Sequence, residues 1–225
     1  MPEILNNFYK QMSKERPDLV LHAGDWGTCD LHDVDIAMDM YRRQLRKVQT
    51  VTVFGNHDYW QTGGSINYKS VVEMGIALRD TAAKYHIDYP FPHSHQLHPN
   101  INIYGFDGWY AHDDPPTKDI RFMPRDFEGK PMHIGMRGRA QREFNYMLTN
   151  PTPFAVGKPK LLLTHFPMAD NPFSAPARWM DFVAPEFDYL VVGHSHRPAD
   201  YTVGKCRVIN PGSDINNPRY VVLEV

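Results

Sequence analysis

The sequence predicts an α/β fold on a largely parallel sheet, and three observations predict it. Buried apolar runs alternate with amphipathic stretches along most of the chain, as strand-helix-strand crossover units require. Four of the apolar runs stop abruptly at Asp, Asn or His, three of them through a Gly. At 225 residues, 42% of them hydrophobic, the chain is long enough for one sizeable core, so a single domain over 1–225 is expected.

The elements follow in order. Residues 2–16 place Ile4, Leu5, Phe8 and Met12 on one helical face, and Pro17 closes the segment. "DLVLHAGD" is a buried strand, Leu19 to Ala23, that ends at Gly24-Asp25. Residues 34–47 read as a helix carrying Val34, Met38, Tyr41 and Leu45, and "VTVF" is a second strand running straight into "GNHDYW". A helix is expected over 66–85, a strand over 101–106 and a helix over 137–148. Residues 88–136 are rich in Pro, His, Asp and Gly without a clear period, and read as a loop-dominated insertion over the sheet edge. "KLLLTHF" at 160–166 and "DYLVVGHSH" at 188–196 are two more buried strands, each ending in histidine. The tail, "DYTVGKCRVINPGSD" and "RYVVLEV", alternates like antiparallel strands around a Pro-Gly turn. There is no internal repeat and no low-complexity tract.

Charge and cysteine content narrow the function classes. Lys+Arg at 24 against Asp+Glu at 26 gives no basic field for duplex nucleic acid or an anionic membrane. No apolar run approaches the ~18 residues that span a bilayer, and no signal-peptide pattern opens the chain, so a cytoplasmic location is expected. Cys29 and Cys206 lie far apart and outside any Cys-x-x-Cys pair, which supports neither a disulfide framework nor a thiolate zinc site.

Chemistry concentrates at the strand ends: Asp25, then Asn56 with His57 and Asp58, then His165, then His194 and His196. In open parallel sheets ligands collect beyond the carboxyl ends of the strands, so side chains distant in sequence converge there. A carboxylate, an amide oxygen and imidazoles form a mixed N/O set that suits manganese, iron or zinc better than calcium. Singly these signals are weak, since a strand-end histidine more often bonds to backbone. All four in series, each after its own strand, multiply into a strong one.

On these motifs, together with "INPGS" at 209–213, the chain resembles the calcineurin-like metallophosphoesterase superfamily, and within it the small phosphodiesterase branch. The likeness covers 18–66 and 160–225, whereas 88–158 resembles nothing that can be named. The resemblance implies a four-layer α/β/β/α sandwich of two mixed sheets with a two-metal site at its edge, manganese favoured. It implies that Asp25 bridges both metals, that Asn56, His165 and His194 complete one, and that His196 serves the other. His57 would protonate the leaving oxygen or bind a phosphate oxygen, with Asp58 holding its ring. The activity implied is metal-assisted hydrolysis of a phosphodiester or phosphomonoester of small-molecule or nucleotide type. A non-catalytic interaction module with an incomplete metal site is the alternative, and a nuclease a further one, although no basic field indicates nucleic acid.

The family pattern opens with Asp-x-His at the end of a first strand, and this chain has neither the motif nor the strand. Three explanations compete: a late start at an internal Met, with about 15 to 25 residues more in the natural chain; a truly short, weakened enzyme; or a non-catalytic member. The late start is favoured because the other ligand-type residues and the His57-Asp58 pair are intact. Low stability and crippled second-metal binding are then expected of the chain as written. His22 is read as a packed strand histidine rather than a substitute ligand, because Asp25, three residues on, belongs to the opposite face. The cluster His93, His95 and His98 is read as a solvated loop, Asp107 and Trp109 as packing, Arg121, Arg137 and Arg139 as solvated cations, and Ser213 with Arg219 as turn chemistry.

Overall fold

The computed structural model describes residues 2–27, 30–59, 71–90, 98–108, 146, 149, 156–165, 178–214 and 216–225. Trp109, His93, His95, the three arginines Arg121, Arg137 and Arg139, Cys29, the helix expected over 137–148 and most of the 88–136 insertion lie outside these residues.

The chain starts with α1 (Pro2–Lys14), and Pro2 suits the first helical position, where the missing N–H would have no partner anyway. The stripe packed on the core is Tyr9 with the partly buried Leu5, Phe8 and Met12, one residue round from the predicted face. Tyr9 is the anchor at 3% exposure, and Ile4 lies 42% exposed. β1 (Leu19–His22) leads to α2 (Leu31–Gln44), which begins three residues earlier than its apolar period because Asp30 caps it, accepting from the His32 N–H at 2.9 Å. Its predicted core residues Val34, Met38, Tyr41 and Leu45 are all buried. β2 (Gln49–Thr52) runs parallel to β1, with Leu19 opposite Gln49. A single turn, α3 (Asn56–Tyr59), and α4 (Val71–Lys84) follow.

The second half is β3 (Asn102–Phe106), β4 (Lys160–Thr164), α5 (Arg178–Glu186), β5 (Tyr189–Val191), β6 (Ala199–Val203) and β7 (Cys206–Asn210). Helix α5 had no counterpart in the sequence reading. These strands form one five-stranded sheet in the order β3-β4-β5-β7-β6, parallel except for β6. The final stretch, 218–225, joins no ladder among the described residues, so the third tail strand expected from "RYVVLEV" is absent.

Three apolar clusters separate four layers. Helices α1, α2 and α4 pack on one face of the β1-β2 pair through Met38, Tyr41, Phe54 and Leu78. Val51 and Val53 meet Ile103, Leu161 and Leu163 between the two sheets. On the far side α5 sets Val183 and Phe187 against Leu162, Leu190 and Val208. This is the α/β/β/α sandwich. No helix among the described residues is long and apolar enough to cross a membrane.

His22 faces the helical layer, stacked on Trp26 with ring centroids 3.7 Å apart, while Trp26 Nε1–H donates to Thr52 Oγ1 at 2.7 Å. The His22 Nδ1 is shut off from water without a hydrogen-bond partner. Burial therefore lowers its pKa from 6.5 to about 3. The folded ring stays neutral where the unfolded one takes a proton, so stability is complete above about pH 6.5 and is lost as pH falls towards 3. Against a His22→Phe variant, which keeps the stack but cannot titrate, the native chain should lose up to ~1.4 kcal/mol per pH unit in that window. Thermal unfolding from pH 7 to 4 measures it, and parallel curves for the two proteins would refute it.

Candidate functional site

The strand tips of both sheets meet at one edge. β1 delivers Gly24-Asp25, β2 delivers Gly55-Asn56, β4 delivers His165 and β5 delivers Gly193-His194. Asp25 Oδ2 lies 3.4 Å from His165 Nε2. The Asn56 Oδ1 lies 3.1 Å from both His165 Nε2 and His194 Nδ1. Among the described residues no three His, Cys, Asp or Glu side chains alone form an ion-holding group, and it is the Asn56 amide that joins His194 to Asp25 and His165.

The tautomer of His165 decides what this arrangement wants. Its Nδ1 lies 2.6 Å from the Ala23 carbonyl oxygen, which can only accept, so Nδ1 carries a proton. Burial lowers the ring's pKa from 6.5 to about 3, which keeps it to that single proton. Nε2 is then a bare lone pair, and it confronts a carbonyl oxygen and a carboxylate oxygen. Three acceptors face one another. A divalent cation resolves that conflict, and ligand atoms held ~2.0 to 2.2 Å from one ion are separated by roughly 3.0 to 3.5 Å, as these are. Nδ1–H donation to a backbone carbonyl is also the usual way a ligating imidazole is oriented. The residues present thus fit a metal.

Three glycines make the convergence possible. A Cβ on Gly55 would stand 2.6 Å from His165 Cε1 and strike Asp25 Oδ1, and one on Gly193 would stand 2.8 Å from the Ala23 carbonyl oxygen. Asp25, His194 and His196 have φ of 58°, 62° and 54°, three of the five non-glycine residues with positive φ among the described residues. Left-handed backbone at side chains of this type is strain concentrated at one place. Burial pushes the Asp25 carboxyl up to about 6, against the pull of His57 and His196. His196 itself is exposed and stands outside the four-atom cluster.

Asp58 has a different task from the one expected. Its Oδ2 accepts from the N–H groups of Asp25 at 2.8 Å and Gly55 at 2.9 Å, and its Oδ1 from Gly27 at 3.0 Å. Successive residues on a helical turn point about 100° apart, so the Asp58 side chain enters the core while His57 faces outward. Asp58 therefore clamps the two loops and does not hold the His57 ring. Burial and the neighbouring Asp25 carboxylate push its carboxyl up, while the three amide donors pull it down. His57 is tied to the site by its backbone, whose N–H donates to Asp25 Oδ1 at 3.0 Å.

Two supports were missed in the sequence. Asp107, at the end of β3, accepts from the Phe54 N–H at 2.8 Å and the Tyr59 hydroxyl at 2.6 Å, fixing both ends of the Asn56 turn. Asn210 donates to the Gly193 carbonyl at 2.9 Å and to Ser195 Oγ at 2.8 Å, holding the His194 loop. A carboxylate closing the apolar run "INIYGF" was the available signal for the first, and "INPGS", read as part of the family likeness and as a turn, for the second.

The model of the calcineurin-like phosphoesterase superfamily domain matches residues 2–224, so the chain belongs to that superfamily. Its members typically bind divalent metals. Two solved structures share the fold. One is the phosphopantetheinyl hydrolase PptH of Mycobacterium tuberculosis, at 15% identity and a TM-score of 0.63, covering 85% of this chain and 77% of that one. The other is a putative 5'-nucleotidase from Staphylococcus aureus in complex with alpha-ketoglutarate, at 13% identity and a TM-score of 0.51, covering 96% of this chain and 46% of that one. No curated protein matches.

An Asp58→Asn substitution turns one acceptor into a donor against backbone N–H groups. It should cost about 1 to 3 kcal/mol of stability in urea unfolding. The His57 ring should titrate unchanged by NMR, whereas a drop of a unit in its pKa would restore the ring-holding role.

Proposed function

We propose that the protein is a metal-dependent phosphoesterase that cleaves a phosphodiester or phosphomonoester of small-molecule or nucleotide type. The observation that carries the reading is the buried meeting of the His165 Nε2 lone pair with the oxygens of Asn56 and Asp25. In this reading Asp25, Asn56, His165 and His194 hold one ion. Asp25 and His196 serve a second, and too few further donors lie beside them among the described residues for that ion to bind as tightly. The names of the two fold neighbours, a phosphopantetheinyl hydrolase and a putative 5'-nucleotidase, lend support to a small phosphorylated substrate.

When bound, the ions polarise the phosphoryl oxygens and lower the pKa of the attacking water. The chain's own residues do the rest. The Ala23 carbonyl keeps the His165 proton on Nδ1 and so keeps Nε2 available for coordination. Asp25, drawn toward the His57 N–H, places that residue one step from the charge centre. The His57 ring, half-buried at the mouth of the site, gives its proton to the departing alkoxide as a general acid.

With manganese the protein should turn over bis-p-nitrophenyl phosphate, and His57→Ala should lower kcat by about 10²- to 10⁴-fold with a smaller change in KM. Calorimetry with manganese should show one tight and one weak ion, and Asn56→Ala should abolish the tight one. An absence of both turnover and ion binding would leave a phosphoesterase fold kept for protein interaction.

A further inference from the structure

Asp107 touches both sheets beside the candidate site. It follows Phe106, the last residue of β3, and Phe106 lies opposite Thr164 of β4, so Asp107 and His165 are neighbours one step beyond the paired strands. The His165 N–H donates to the Asp107 carbonyl oxygen at 3.2 Å and carries the ladder on by that step. The side chain of Asp107 turns toward the first sheet. Its Oδ1 accepts from the Phe54 N–H at 2.8 Å and its Oδ2 from the Tyr59 hydroxyl at 2.6 Å, donors that lie two residues before Asn56 and three after it. One residue therefore grips His165 through its main chain and the Asn56 turn through its side chain.

Burial makes that grip firm. Asp107 and Tyr59 are each 2% exposed, so no water replaces a bond that either loses. Both donors point at oxygens, which a carboxylate supplies and a single amide does not. The Tyr59 ring is boxed in as well. Phe54 meets it edge-on with centroids 6.4 Å apart, and α4 passes so close at Gly75 that a Cβ there would stand 3.3 Å from the Tyr59 hydroxyl oxygen. What the bonds fix is a spacing. Asn56 Oδ1 and His165 Nε2 come from different sheets and stand 3.1 Å apart, and Asp107 is bonded to the main chain on each side of that gap.

We propose that Asp107 is a positioning residue, which sets the distance between Asn56 Oδ1 and His165 Nε2. For ion binding this rests on the reading of Asp25, Asn56, His165 and His194 as the ligands of one ion, whereas the spacing itself exists without an ion. Partners that orient ligating groups typically change metal affinity by about 10- to 100-fold when they are removed. The His165 ring is held between the Ala23 carbonyl and Asn56, so a displaced turn also gives the metal-free ring room to open.

Four variants separate positioning from general stability. Asp107→Ala strands the Phe54 N–H and the Tyr59 hydroxyl, and Tyr59→Phe removes one of the two side-chain bonds. Asp107→Asn keeps the shape, because its amide oxygen accepts from the Phe54 N–H while the Tyr59 hydroxyl turns to accept from the amide N–H. Val208→Ala truncates the cluster on the far side of the second sheet and lowers stability without touching the turn. Each protein, shown to be folded by circular dichroism, is titrated with manganese by calorimetry well below its melting temperature. Free of metal, it is read by NMR at the His165 Nδ1–H proton. Asp107→Ala should bind the tight ion about 10- to 100-fold more weakly and Tyr59→Phe by a smaller factor, with Asp107→Asn and Val208→Ala within about twofold of the native chain. Exchange of the Nδ1–H proton with water should rise about 10-fold in Asp107→Ala and Tyr59→Phe alone. Native affinity in Asp107→Ala, or in Tyr59→Phe should Asp107→Ala fail to fold, would overturn the assignment, and so would an equal loss in Val208→Ala. If the native chain binds no manganese, the ion reading falls and proton exchange decides: faster exchange confined to Asp107→Ala and Tyr59→Phe upholds the positioning role, and unchanged exchange in both overturns it.

Discussion

The bond from His165 Nδ1 to the Ala23 carbonyl is the constraint on which the site depends. It joins the tip of β4 to the tip of β1, and therefore one sheet to the other. It also fixes a proton on one side of a buried imidazole and leaves the other nitrogen bare. Without it, His165 could turn its N–H toward Asn56, and the group would be an ordinary hydrogen-bonded cluster with no appetite for a cation. A single backbone carbonyl thus leaves the His165 lone pair facing the oxygens of Asn56 and Asp25.

The surrounding loops hold those side chains against their own backbone preferences. Asp25 and His194 sit in left-handed conformations, and the glycine before each of them, like the one before Asn56, stands where an added methyl group would meet the His165 ring or a neighbouring backbone. Asp58, Asp107 and Asn210 counter the strain with hydrogen bonds to main-chain groups of the same loops. None of the three belongs to the cluster of donor atoms. Each is buried, so a lost bond leaves an amide or carbonyl with no water to replace it.

Much of this was legible in the sequence, for reasons that differ by element. The strands β1, β2, β4 and β5 were visible because apolar runs stop at Gly or His, and the convergence of Asp25, Asn56, His165 and His194 followed from where parallel strands deliver their ends. The face of α1 was misread by one residue because Tyr9 counts as amphipathic in a sequence yet packs edge-on against Tyr41 in the core. The task of Asp58 was misread because adjacency in sequence suggested a pair, whereas a helical turn separates neighbours. The supports from Asp107 and Asn210 were hidden because side-chain to main-chain bonds across ~20 to 50 residues leave no periodic trace.

Asp25 and Asn56 come from the first sheet, His165 and His194 from the second, and this two-and-two division ties assembly to activity. Neither half can fold a working site by itself. The loops that carry the two pairs are separated by more than a hundred residues of chain, so their meeting is a late, long-range event of the kind that slows folding. A ligand that bound the four side chains together would stabilise both sheets at once, by an amount that grows with the ratio of its concentration to its dissociation constant.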